Sequence, residues 1–200
     1  MMDGFFSQAG LLLVNTLFGM YILAVLVRFL LQRVRADFYN PLARFLVTVT
    51  NPPLLPLRRL IPGFLGIDWA SIVLLLLLEA LEQYLIALLR GYPLTALVLM
   101  VLSLSQIADL TLYVFLFAIL VRAILSWVAP YPRSPAMHLL VSLTEPLLRP
   151  ARRLIPPIGG LDLSPVAVLI LLELAVMLVD HIALGIAQMA LISARPWLAA

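Results

Sequence analysis

The chain has 200 residues, of which 64% are apolar and 12% charged, with a mean hydropathy of +1.13. Water-soluble domains carry about 25% charged residues, so this composition marks an integral membrane protein. The formal charge of +3 comes from arginines without a single lysine, and there is no cysteine, which excludes disulfides, thiolate metal ligands and cysteine nucleophiles together.

The first apolar stretch, about 10–31, is long enough to cross a hydrocarbon core about 30 Å thick. It reads as a retained span, because Met1-Met2-Asp3 lacks a basic n-region and no small-residue cleavage site follows. A Pro- and Arg-rich connector comes next. Asn40-Pro41 places a capping side chain before a proline at the first helical position, which predicts a helix start. Leu42, Phe45, Leu46 and Val49 then recur at i, i+3, i+4 and i+7, the stripe of a short amphipathic helix at the membrane surface. Pro52 is expected to end that helix after Thr50, because proline disfavours the α conformation of the residue before it. The run holding Pro52, Pro53, Pro56 and Pro62 is expected to be rigid and not helical, closing on Gly66-Ile67-Asp68 with the acid capping the next span, about 69–89.

Leu94–Val128 is too long for one span, since 35 helical residues would reach about 52 Å. A break is expected near 103–109, where Ser103, Ser105, Gln106 and Asp109 cluster, leaving 94–102 as an interfacial or re-entrant preamble to a third span at about 104–126. The second connector repeats the devices of the first. Ser134-Pro135 starts a helix with Ala136, Leu139, Leu140 and Leu143 on its stripe, Thr144-Glu145-Pro146 is expected to end it, and Gly160-Leu161-Asp162 leads into a fourth span at about 164–187. Residues 188–200 read as a tail, with Trp197 as an interface anchor.

The repetition is exact in spacing. Between Arg28 and Glu79, 21 of 52 positions match their partners 94 residues later, among them Thr50/Thr144, Arg58-Arg59/Arg152-Arg153, Asp68/Asp162 and Glu79/Glu173. A duplicated two-span unit explains this. The sequence therefore predicts an all-α membrane protein of about four transmembrane helices in two repeats, 1–92 and 104–187, joined by 93–103, each with an interfacial helix in its connector. The connectors hold Arg33, Arg35, Arg44, Arg58, Arg59, Arg133, Arg149, Arg152 and Arg153, while the opposite side holds only Arg90 and Arg195. By the positive-inside bias both connectors are expected in the cytoplasm and both termini in the periplasm, so the two repeats insert in parallel.

Three sets of polar residues stand out. Arg58, Arg59, Arg152 and Arg153 are candidates for anionic lipid or an acidic partner, each charge being worth about 1 kcal/mol near an anionic leaflet. Arg28 and Arg122, near the ends of their spans, can snorkel to the headgroups or pair with Asp68 and Asp162, and the structural pairing is the one expected. Glu79 and Glu173 fall near the bilayer midplane and are expected to face the bundle interior, either as helix-packing hydrogen bonders or as a proton or cation site. Glu82 and Asp180 extend these stripes. His138 and His181 lack metal-ligand spacing, and no nucleotide loop or nucleophile elbow is present, so no cofactor, metal, nucleic-acid partner or catalytic site is expected.

The duplicated pattern Arg28…Asn40-Pro41…Thr50-Asn51-Pro52…Arg58-Arg59-Leu60-Ile61-Pro62…Gly66…Asp68 and its second copy, which adds Ser126-Trp127 and Ser164-Pro165, resembles the YggT family of bacterial membrane proteins, to which the YlmG proteins belong. The first copy departs from that pattern at Gln32-Arg33 and Ala70-Ser71. The resemblance implies the two-repeat proteobacterial form in the inner membrane. It also implies contexts that range over envelope and division, plastid nucleoid distribution, assembly of a b-type cytochrome, and osmotic tolerance with potassium uptake. Composition and resemblance together point to a membrane scaffold or assembly factor acting on lipids, a membrane-protein partner or its own copies. The alternative is a small ion-transport component using the midplane glutamates.

Overall fold

The computed structural model describes residues 2–92, 94–128, 134–155 and 162–194. Six helices follow in order: α1 Met2–Arg33, α2 Pro41–Leu60, α3 Trp69–Arg90, α4 Ala96–Val128, α5 Pro135–Leu154 and α6 Ser164–Ala194. Four of them, α1, α3, α4 and α6, are long and apolar enough to span a bilayer, which makes this a multi-pass membrane protein. The expected all-α architecture is present, with α1–α3 and α4–α6 as the two copies.

The connector helices are twice as long as the sequence suggests. Pro52, Pro53 and Pro56 lie inside α2, and Pro146 and Pro150 inside α5, so proline does not end either helix. Each proline removes one donor to the carbonyl four residues back, and another group takes over where that carbonyl is reachable. The Val49 carbonyl, which Pro53 cannot serve, accepts from the Tyr21 hydroxyl of α1 at 3.3 Å. Burial then holds the distal half in place. Leu54 of α2 and Leu148 of α5 are fully enclosed against the spans.

The starts of α2 and α5 follow the sequence: the Asn40 side chain accepts from the Leu42 N–H at 3.0 Å and Ser134 from the Met137 N–H at 3.3 Å. Between α2 and α3, Phe64 and Ile67 exchange backbone hydrogen bonds across Leu65-Gly66, both at positive φ, a two-residue turn that glycine makes inexpensive. The matching Gly160 segment and the tail with Trp197 lie outside the described residues.

The break expected within 103–109 does not occur, and α4 is continuous. Its polar side chains turn back on their own helix instead: Ser103 donates to the Leu99 carbonyl at 2.8 Å, Ser105 to Leu102 at 3.0 Å and Thr111 to Ile107 at 2.7 Å. Residues 96–102 are the opening turns of one long helix and not a re-entrant piece.

The spans pack in a row, α1 against α3, α3 against α4 and α4 against α6. Among the described residues α6 touches neither α1 nor α3, so the two copies meet head to tail and not around a two-fold axis. The stripes read from the connectors consequently diverge. Leu139 and Leu143 of α5 are buried against the first copy, whereas their counterparts Phe45 and Val49 of α2 are exposed.

Candidate functional site

Polar side chains concentrate at the end of the bundle where α2 and α5 lie. Arg28 of α1 is only 4% exposed, yet it carries a guanidinium. It donates to the Thr50 hydroxyl at 2.6 Å and the Val47 carbonyl at 3.4 Å, both on α2, while Thr50 donates onward to the Leu46 carbonyl at 2.6 Å. The second copy repeats the arrangement, with Arg122 donating to Thr144 at 2.7 Å and Thr144 to Leu140 at 2.7 Å. There Glu145 adds a carboxylate at 2.8 Å from Arg122, where the first copy has Asn51.

Asp68 and Asp162 are not the partners of Arg28 and Arg122. Arg58 takes Asp68, and Arg152 takes Asp162 at 2.8 Å. The geometry explains the exchange: because α2 and α5 continue through their prolines, the first arginine of each pair is carried to the foot of the returning span. Arg58 also donates to Gln32 at 3.1 Å, linking α1, α2 and α3. Asp68 occupies the N-cap position of α3, but its carboxylate serves Arg58 and the Ser71 hydroxyl, at 2.6 Å, in place of a backbone N–H. Asp162 does cap, accepting from the Ser164 N–H at 3.0 Å and its hydroxyl at 2.6 Å.

Burial by itself would raise the Asp68 carboxyl, but the Arg58 and Ser71 hydrogen bonds hold it below its ordinary value of 3.8. Asp162 is held low in the same way, with Ser164 and Arg152 outweighing its burial. Glu145 is held low by Arg122 first, then Arg152.

The second arginines, Arg59 and Arg153, are exposed and make no hydrogen bond or ion pair among the described residues. Each is followed by an exposed leucine, Leu60 or Leu154. Among the described residues, both helices thus end in an unpaired guanidinium beside a bare aliphatic side chain.

The midplane glutamates part company. Glu79 is 6% exposed and Glu82 is buried near it on α3, which lies between α1 and α4. Glu173 is exposed, because α6 is the end of the row. The expectation that both face the interior is therefore corrected for Glu173, and the two glutamates do not come together. Asp109 of α4, read from the sequence only as part of a break, is buried, and its Oδ1 has no hydrogen-bond partner among the described residues. No group of three or more His, Asp or Glu side chains among them is placed to hold a metal ion.

The model of one membrane-protein family, described as CCB3/YggT, matches residues 7–89 and again 101–184, the two copies seen in the fold. The chain belongs to the CCB3/YggT family. It is 48% identical over 175 residues to PA0392 of Pseudomonas aeruginosa, covering 86% of this chain and 89% of that protein. A Vibrio alginolyticus protein named for the proC 3′ region is 41% identical over 175 residues, covering 85% and 92%. YggT of Escherichia coli K12 is 38% identical over 160 residues, covering 80% and 83%. No solved structure matches.

Two outcomes follow from the polar cluster. Thr50→Val strips the buried Arg28 of its closest acceptor, an omission worth about 1–3 kcal/mol, whereas Thr144→Val leaves Arg122 with Glu145. Thermal unfolding in detergent micelles should show the larger loss for Thr50→Val; equal losses would contradict the assigned roles. Because Asp68, Glu145 and Asp162 are all held low, their stabilisation is complete above the ordinary carboxylate range and fades as pH falls through their folded values. The contribution of Asp68 and Asp162, read as the difference in unfolding midpoint between the parent chain and the Asp68→Asn/Asp162→Asn double variant, should stay flat from about pH 7 to 5 and shrink below about pH 4.

Proposed function

We propose that the protein is a non-enzymatic scaffold of the bacterial inner membrane, whose connector helices gather anionic lipid on the cytoplasmic side. What supports this reading is the division of labour within each Arg-Arg pair. Arg58 and Arg152 are consumed by carboxylates that fix the fold, while Arg59 and Arg153 have no hydrogen-bond or ion-pair partner among the described residues, at the same point of both copies. A guanidinium with a neighbouring exposed leucine matches the boundary between headgroups and acyl chains, where the cation meets phosphate and the aliphatic group meets lipid. Prolines inside α2 and α5 and the buried Leu54 and Leu148 hold this presentation stiffly. Relatives in Pseudomonas, Vibrio and Escherichia fit a bacterial setting. Ion or proton movement, the alternative expectation, keeps Glu79 and Glu82 of α3 and the unpartnered Asp109 of α4 as its buried carboxylates among the described residues, and we rank it below the scaffold reading because these groups do not gather with Glu173 at one site.

At about 1 kcal/mol per arginine, Arg59→Gln with Arg153→Gln should weaken binding of phosphatidylglycerol over phosphatidylcholine by roughly 30-fold, read as retained lipid after nanodisc reconstitution. Unchanged lipid retention would remove the main support for the reading. Orientation is checked separately. The cysteine-free chain accepts Arg59→Cys, Arg153→Cys and Thr95→Cys one at a time, and a membrane-impermeant thiol reagent applied to spheroplasts should label only the Thr95→Cys variant.

A further inference from the structure

The two copies are alike in sequence but meet through unlike faces, and both faces are left bare at the ends of the row. On α3, the residues Ile72, Leu76, Glu79, Gln83 and Ile86 are buried or half-buried. Their counterparts 94 positions on, Val166, Ile170, Glu173, Met177 and Asp180 of α6, are all exposed. On α4, Ile107, Leu110 and Val114 pack into the core that α3 shares, while their counterparts on α1, Leu13, Thr16 and Met20, are exposed. The intramolecular joint is thus built from one surface of each kind, and the unused surface of each kind stands free on the same molecule.

The connector helices show the same imbalance. Leu26 and Leu30 of α1, 2% and 8% exposed, are covered by Leu140 and Leu143 of α5. The matching Leu120 and Ile124 of α4 are each 47% exposed and line a cavity of about 540 Å³, bounded also by Arg122, Met137 and Arg152. The equivalents on α2 are Leu46 and Val49; Leu46 is half-buried against Leu31, Ala43 and Leu139 of its own chain, while Val49 and the neighbouring Phe45 are exposed and form the knob. A cavity at one end and an apolar knob at the other are the two halves of a contact already made once inside the chain.

Plain exposure of apolar residues does not distinguish a joint from a lipid-facing surface. Polarity does. The stripe of α6 matching the outward face of α3, Leu171, Ala175, Leu178 and Ile182, is wholly apolar, as lipid requires. The neighbouring stripe carries Glu173, exposed and without a partner among the described residues, which hydrocarbon does not tolerate without a covering helix, while Asp180 on the same stripe lies beside Asp109 of α4.

We infer that a second copy of this chain docks head to tail, its α1 laid on the Glu173 stripe of α6 and its α2 seated in the cavity between α4 and α5. The contact repeats the joint between the two copies within one chain, so all protomers share one orientation about an axis along the membrane normal. Such heterologous contacts form a ring where the rotation closes and a row where it does not. This inference does not draw on the lipid reading above, because none of its surfaces includes Arg59 or Arg153.

The test uses the full-length, cysteine-free chain in native membranes. Met177→Cys and Leu13→Cys, on co-expressed copies bearing different tags, should be joined by a short bis-thiol crosslinker. The Leu171→Cys and Leu12→Cys pair on lipid-facing stripes should stay uncrosslinked. Glu173→Arg should abolish the Met177–Leu13 product, while a Gln83→Cys/Ile107→Cys pair still crosslinks within its own chain and so reports an intact fold. Three results would overturn the inference: Met177→Cys joining to itself as readily as to Leu13→Cys, a product that survives Glu173→Arg, or single chains carrying only lipid in native mass spectra of membrane-extracted protein.

Discussion

A guanidinium that leaves its span to meet a threonine hydroxyl, once in each copy, is the constraint on which the architecture rests. Arg28 is buried where water cannot solvate it, and its charge is made bearable by Thr50 and the Val47 carbonyl on α2. That requirement fixes the rotation of α2 about its axis, because only one face brings Thr50 to the span. The same rotation buries Leu54 one turn later and delivers Arg58 to Asp68 at the start of α3. Arg122, Thr144, Leu148, Arg152 and Asp162 repeat the sequence of events in the second copy. The connector is therefore less a loop than a third helix of the repeat, locked at both ends by arginine.

Much of this was legible in the residues. The four apolar stretches, the duplication and the capped starts at Pro41 and Pro135 rest on length, identity and local hydrogen bonding, and each has one physical answer. The continuation of α2 and α5 past their prolines was not legible, because it depends on burial of Leu54 and Leu148 and on the Tyr21 hydroxyl reaching Val49, contacts made by distant segments. The polar residues of α4 misled for a related reason: a serine that can break a helix can equally bond its own preceding turn, and continuous packing along α3 and α6 favours the second. The Arg–Thr partnership did leave a trace, an interval of 22 residues kept in both copies. The prolines that follow Thr50 and Thr144 disguise that partnership, because locally they mark a helix end.

The fate of Glu173 carries a separate lesson about duplicated chains. Equal sequence does not give equal environment when copies join through different faces, because the terminal helix of a row lacks the neighbour that its twin possesses. Glu79 and Glu173 share a helix position and a residue type, and one is enclosed while the other is bare. Asn51 against Glu145 is the same principle at the level of one residue: the buried Arg28 makes do with neutral acceptors, whereas the less buried Arg122 has a counter-charge.

The unbroken α4 has a bearing on the surrounding bilayer. Its 31-residue apolar segment, Ala96–Ser126, is about 46 Å long at 1.5 Å per residue, and stands beside the 22-residue α3, about 33 Å. The Gly4–Arg33 segment of α1 is nearly as long, about 45 Å, so the short α3 stands between two tall neighbours and lipids circling the protein meet walls of unequal height. Each ångström of disparity costs a fraction of a kcal/mol in acyl-chain stretching or helix tilt. The molecule imposes an uneven thickness on its own annulus, and its partition between thick and thin regions of a membrane follows from one short span set between two long ones.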